Sequence, residues 1–79
     1  MNEQLKQYYE DRFNMMAEQG WLDLMEDAQV MLVSTNTLEG VDSVEKLNYR
    51  KGELSMLNWL LSLKSVSEKA YEELSNESI

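Results

Sequence analysis

The side chains best placed to do chemistry in this 79-residue sequence are carboxylates at helical spacing. Asp23, Glu26 and Asp27 form one such group, and Glu68, Glu72 and Glu73 form another. Acids facing inward from two helices of a bundle bind magnesium in helical pyrophosphohydrolases, but the paired motif that chemistry needs is absent here. Both groups fall off the apolar stripes of their segments, which makes them solvated faces. The chain has no His and no Cys. The commonest general base, the usual nucleophile pairings and most zinc sites are therefore closed to it, as is a di-iron bundle built on Glu-x-x-His pairs. No Gly-rich phosphate loop and no serine nucleophile motif occurs. The expectation is a non-enzymatic protein with no catalytic residues, cofactor or metal.

The elements that position these side chains read as helices. There is no proline, and there are three glycines, so long helical stretches are allowed. Leu5, Tyr9, Phe13 and Met16 recur at helical spacing and predict a helix over about residues 3–18, with Asn2 as its cap. Trp21, Leu24, Met25, Ala28, Met31, Leu32 and Thr35 form the stripe of a second helix, about 21–36. Gly20 either ends the first helix as a left-handed cap or bends a continuous one, and a break or sharp bend is favoured.

Asn36–Val41 reads as a loop. Asp42 and Glu45 then form a D-x-x-E capping box that opens a third helix over about 43–74. Such a helix is roughly 45 Å long. Residues from about 75 read as a frayed end.

The fold class is all-α: an antiparallel helical hairpin or a small three-helix bundle, forming one domain over 1–79. Folding back at the loop sets position i near 79 − i. Phe13 then meets Val66, Ala28 meets Gly52, and Glu26 and Asp27 approach Arg50 and Lys51. Trp21 and Trp59 are expected in the core where the helices cross.

The third helix carries more apolar surface than one partner strip can cover. Met56, Leu60, Leu63 and Tyr49, with Leu22 and Val33 on the second helix, are the candidate partner-binding residues. Self-association as a dimer or higher oligomer follows as an expectation, since a core this small is marginal.

The net charge of −8 is uneven: residues 1–42 hold nine acids against two bases, and residues 43–79 hold six against five. An acidic first half argues against direct nucleic-acid binding. It leaves open an inhibitor whose acidic face, Asp23, Glu26 and Asp27, imitates DNA charge and blocks a nucleic-acid-binding enzyme. No apolar run is long enough to span a bilayer. The opening MNEQLKQYYEDR lacks the pattern of a signal peptide. Asn76-Glu77-Ser78 matches a glycosylation acceptor by chance. The expected location is the cytoplasm, away from membranes.

GW-x-D-L-M-E-D at 20–27, a short loop and YRKGELSMLNWLLSL at 49–63 resemble small acidic helical proteins of tailed bacteriophages, most of them uncharacterised. The resemblance covers roughly Trp21 to Glu73. It implies a phage-encoded protein with a virion-associated, assembly or host-directed role, whose partner is a larger protein assembly or a host protein. That family carries no assigned catalytic residues.

Overall fold

The structure, a computed structural model, describes residues 3–77. They form α1 (Glu3–Met16), α2 (Gln19–Thr35) and α3 (Val44–Glu77), with no strand among the described residues. The chain is all-α. The cap expected of Asn2 lies outside the described residues, as does Ser78 of the Asn-x-Ser triplet.

The break between α1 and α2 falls at Ala17–Glu18, two residues before Gly20. Ala17 donates its N–H to both Phe13 and Asn14, and Glu18 donates to Met15 at 3.1 Å. This is the tightening by which a helix end satisfies its last carbonyls. Glu18 then turns extended (φ −75°, ψ 146°) and opens α2 without a side-chain cap. Gly20 sits inside the first turn of α2, and its φ is not in the left-handed region.

The turn into α3 uses glycine where geometry requires it. Gly40 has φ 80° and is the third residue of a turn closed by Val41 N–H donating to Leu38 O at 3.0 Å. A type II turn demands such a φ at that position. The cap of α3 is Ser43, one residue later than expected. Its Oγ accepts the Lys46 N–H at 3.1 Å, while Asp42 pairs with Lys46 Nζ at 2.9 Å. A serine at the position directly before the first helical residue displaces the aspartate from that role. At its other end α3 continues to Glu77, three residues beyond the expected Leu74.

α3 is a spine along which α1 and α2 lie end to end. Its 34 residues span about 51 Å at 1.5 Å each, matching the longest dimension of the molecule, which measures 53 × 27 × 15 Å. A helix with side chains is about 10–12 Å across, so the protein is two helices wide and one thick. It is a hairpin with a broken first arm, and α1 does not fold over to make a compact bundle. The radius of gyration is 16.8 Å, against about 12 Å for a compact chain of this length.

A single layer has little interior. Met16 and Ala28 are the buried apolar residues and Ser67 the buried polar one among those described. Trp21, Met25, Leu32 and Thr35 flank Ala28 on the half-buried side of α2, opposite Leu47, Arg50, Leu54, Leu57 and Leu61. Around α1, Tyr9 stacks on Phe13 (centroids 6.5 Å apart) and Phe13 meets Tyr71 edge-on at 5.7 Å. Phe13 thus packs on Tyr71 where Val66 was expected, and Val66 is exposed. Ala28 does not face Gly52, because a Cβ built on Gly52 meets nothing within 4 Å.

Candidate functional site

The strongest polar constellation is structural. Arg50 donates from Nη1 to the carbonyls of Thr35 (3.4 Å) and Thr37, and from Nη2 to the carbonyl of Glu39 (3.3 Å). Its Nε lies 3.7 Å from Glu53. The guanidinium therefore closes the C-terminal end of α2, where carbonyls lack helical partners and the dipole favours a cation. The Glu26 and Asp27 pairing expected for Arg50 is replaced by this clamp, since a planar fork of five donors is satisfied best by several oxygens at once. A polar depression of about 280 Å³ beside it is lined by Ser34, Thr35, Thr37, Glu39, Arg50 and Glu53.

A second polar group ties α1 to α3. Arg12 donates from Nη1 to Ser67 Oγ at 2.9 Å and from Nη2 to the Tyr8 hydroxyl, and its guanidinium lies 4.7 Å from the Tyr8 ring centroid. The Tyr71 hydroxyl donates to Glu10 Oε1 at 2.9 Å. That bond, with a smaller contribution from burial and from the nearby Glu10 and Glu3 charges, raises the Tyr71 pKa above 10.0.

The carboxylate groups do not converge. Asp23, Glu26 and Asp27 are all exposed on α2, and Asp23 accepts a hydrogen bond from Gln19 Nε2 at 2.8 Å. Among the described residues, no three acidic side chains gather as a metal site would need. Glu68 pairs loosely with Lys64 at 4.0 Å.

Apolar exposure on α3 favours one face of the layer. Successive residues turn about 100° around a helix. The residue just before each inward-facing position therefore lies on one flank, and the residue just after lies on the other. In antiparallel helices the two "before" flanks share one face of the layer. On α2 that flank presents Leu24, Asp27 and Met31, on α3 Tyr49, Glu53, Met56 and Leu60, and on α1 Tyr8 and Met15. The opposite flank of α3 presents Lys51, Ser55, Asn58 and Ser62. Tyr49 is 74% exposed and Met56 64%, whereas Leu60 and Leu63 are half-buried. Leu22 and Val33 are exposed too, but they follow Trp21 and Leu32 and so lie on the other face. The six expected contact residues thus divide between two faces, four on α3 and two across the layer.

Trp59 corrects the expectation of a buried tryptophan pair. Trp21 is half-buried against α3, while Trp59 is 57% exposed. Trp59, Met56, Ser55 and Gly52 line an open depression of about 370 Å³. The signal for it was present as the 3–4–3–4–3 spacing of Tyr49, Gly52, Met56, Trp59, Leu63 and Val66.

No helix among the described residues is long and apolar enough to cross a membrane. No protein-family model, curated protein or solved structure matches the chain.

Proposed function

We propose that this chain is a non-enzymatic helical protein–protein interaction module. The observation that carries the reading is the apolar surface that Tyr49, Met56, Leu24 and Met31 expose on one face of a layer one helix thick. Exposed apolar surface concentrated on one side of a small protein marks a contact surface. The lack of His and Cys and the dispersed carboxylates support a non-enzymatic role. The resemblance to tailed-phage proteins suggests the setting: a virion-associated or assembly accessory protein that docks on a larger assembly.

The test is affinity capture on the immobilised chain, from purified virion components and from host lysate. Two variants of equal charge change serve as controls. Leu24→Glu/Met31→Glu alters the apolar face, and Leu22→Glu/Val33→Glu alters the opposite one. Loss of a captured protein with the first pair and retention with the second is the expected result. Capture that ignores both pairs and instead depends on Asp23, Glu26 and Asp27 would overturn the reading in favour of an acidic inhibitor.

A further inference from the structure

We infer that α3 pairs with α3 of a second copy in an antiparallel, twofold-symmetric dimer. The inference rests on the reading of the chain as an interaction module and names the partner. Tyr49, Gly52, Met56, Trp59, Leu63 and Val66 follow the a/d spacing of a coiled-coil seam, and none is charged. Tyr49, Gly52, Met56, Trp59 and Val66 are exposed, and Leu63 is half-buried. Residues 54–63, LSMLNWLLSL, contain no charged side chain. Two chains of net charge −8 therefore meet along the one stretch of α3 where like charges are not forced together.

The seam is complementary to itself when reversed. Its residues are disposed symmetrically about the Leu57–Asn58 peptide bond. A twofold axis there sets Met56 against the partner's Trp59, Gly52 against the partner's Leu63 and Tyr49 against the partner's Val66. Each contact then occurs twice, as an isologous interface requires. At each level a larger side chain faces a smaller one. The depression beside Gly52 receives the partner's Leu63, with Ser55, Met56 and Trp59 as its walls. A parallel pairing would instead set Trp59 on Trp59 and Gly52 on Gly52, crowding one level and leaving a void at another, which close packing disfavours.

The exposed area leaves room for such a dimer. A compact monomer of 9.3 kDa exposes about 5,000 Å², and this chain exposes 6104 Å². The excess, about 1,100 Å², exceeds the roughly 800 Å² that each partner contributes to a standard interface.

The test uses oxidative cross-linking and light scattering on the full chain, which has no native cysteine. Tyr49→Cys/Val66→Cys is expected to form a covalent dimer on oxidation, and Tyr49→Cys alone is not. In the antiparallel arrangement the two copies of position 49 lie about 25 Å apart along the axis, far beyond the roughly 7 Å reach of a disulfide. Trp59→Glu is expected to weaken the dimer at least about tenfold while keeping the helical circular dichroism signal, because residue 59 is exposed. Cross-linking by Tyr49→Cys alone, as strong as by the double variant, would overturn the antiparallel geometry. A native chain that stays monomeric at high concentration, with no cross-link in the double variant, would overturn the dimer. If Leu24→Glu/Met31→Glu still abolished capture of a different protein in that case, the interaction reading would survive and only the identity of the partner would fall.

Discussion

Arg12 and Ser67 meet across the α1–α3 contact, with Nη1 2.9 Å from Oγ, and the serine is 1% exposed. A buried hydroxyl is tolerable only when paired, and here one guanidinium pairs it while lying over Tyr8. Ser67→Ala is expected to cost about 1 kcal/mol in urea unfolding, the net worth of one such bond. Arg12→Ala is expected to cost about 2–3 kcal/mol, since it strands the hydroxyl and removes the ring contact. Arg12→Lys recovers less than half of that, because an ammonium cannot reproduce the fork.

Tyr71 gives the molecule an alkaline limit. Its protonated hydroxyl donates to Glu10, and its pKa lies above the ordinary 10.0. A group held protonated by the fold contributes its stabilisation below the ordinary value and loses it as pH rises through the raised one. Stability is therefore expected to hold through neutral pH and fall above pH 10. Tyr71→Phe should lower the neutral plateau and flatten that fall, as read from thermal melts against pH. Tyrosinate absorbance of the native chain should show Tyr71 ionising above the usual tyrosine range.

Arg50 holds a loop thirteen residues away in sequence. Arg50→Met leaves the carbonyls of Thr35, Thr37 and Glu39 without this donor, at a cost of roughly 2 kcal/mol. Amide exchange should rise across residues 35–43, with little change in α1. An equal rise along the whole chain would mean that Arg50 acts on the global fold instead.

The same substitution at two glycines should have opposite signs. Gly40 has φ 80°, where a Cβ is strained, so Gly40→Ala should destabilise by about 1–2 kcal/mol. Gly52 lies within α3 with open space around it, so Gly52→Ala should stabilise by about 1 kcal/mol. Urea midpoints at low protein concentration, where the chain is monomeric, measure both.

The three helices were legible because periodicity is a local property. Tyr9, Phe13 and Met16 on α1, and Trp21, Met25, Ala28 and Leu32 on α2, needed only their spacing. The chain reversal was legible from Gly40 and a polar cap, although Ser43 proved a better-placed acceptor than Asp42. The Arg50 clamp was not legible, because a long side chain reaching back to carbonyls in a loop leaves no pattern in spacing. Trp59 was misplaced for a different reason. The 79 − i register fixes a residue's height along the hairpin and not its direction, and Trp59, two residues after the inward-facing Leu57, lies about 200° around the helix from it. Leu22 and Val33 were grouped with Met56 because hydrophobicity alone does not say which face of a hairpin a residue occupies.

The joint at Ala17–Glu18 has a consequence for how the molecule opens. α2 starts there without a side-chain cap, and α1 reaches α3 chiefly through Phe13 on Tyr71, Arg12 on Ser67 and Glu10 on Tyr71. One spine thus carries two arms, each with its own contacts and its own free energy of detachment. Such arms open as separate cooperative units. The α1 arm can lift from the far end of α3 while α2, pinned by Arg50, stays in place. Amide protection should accordingly fall in two steps along the chain, and the lifted arm would uncover Ser67 and Tyr71 without unfolding the hairpin at the other end.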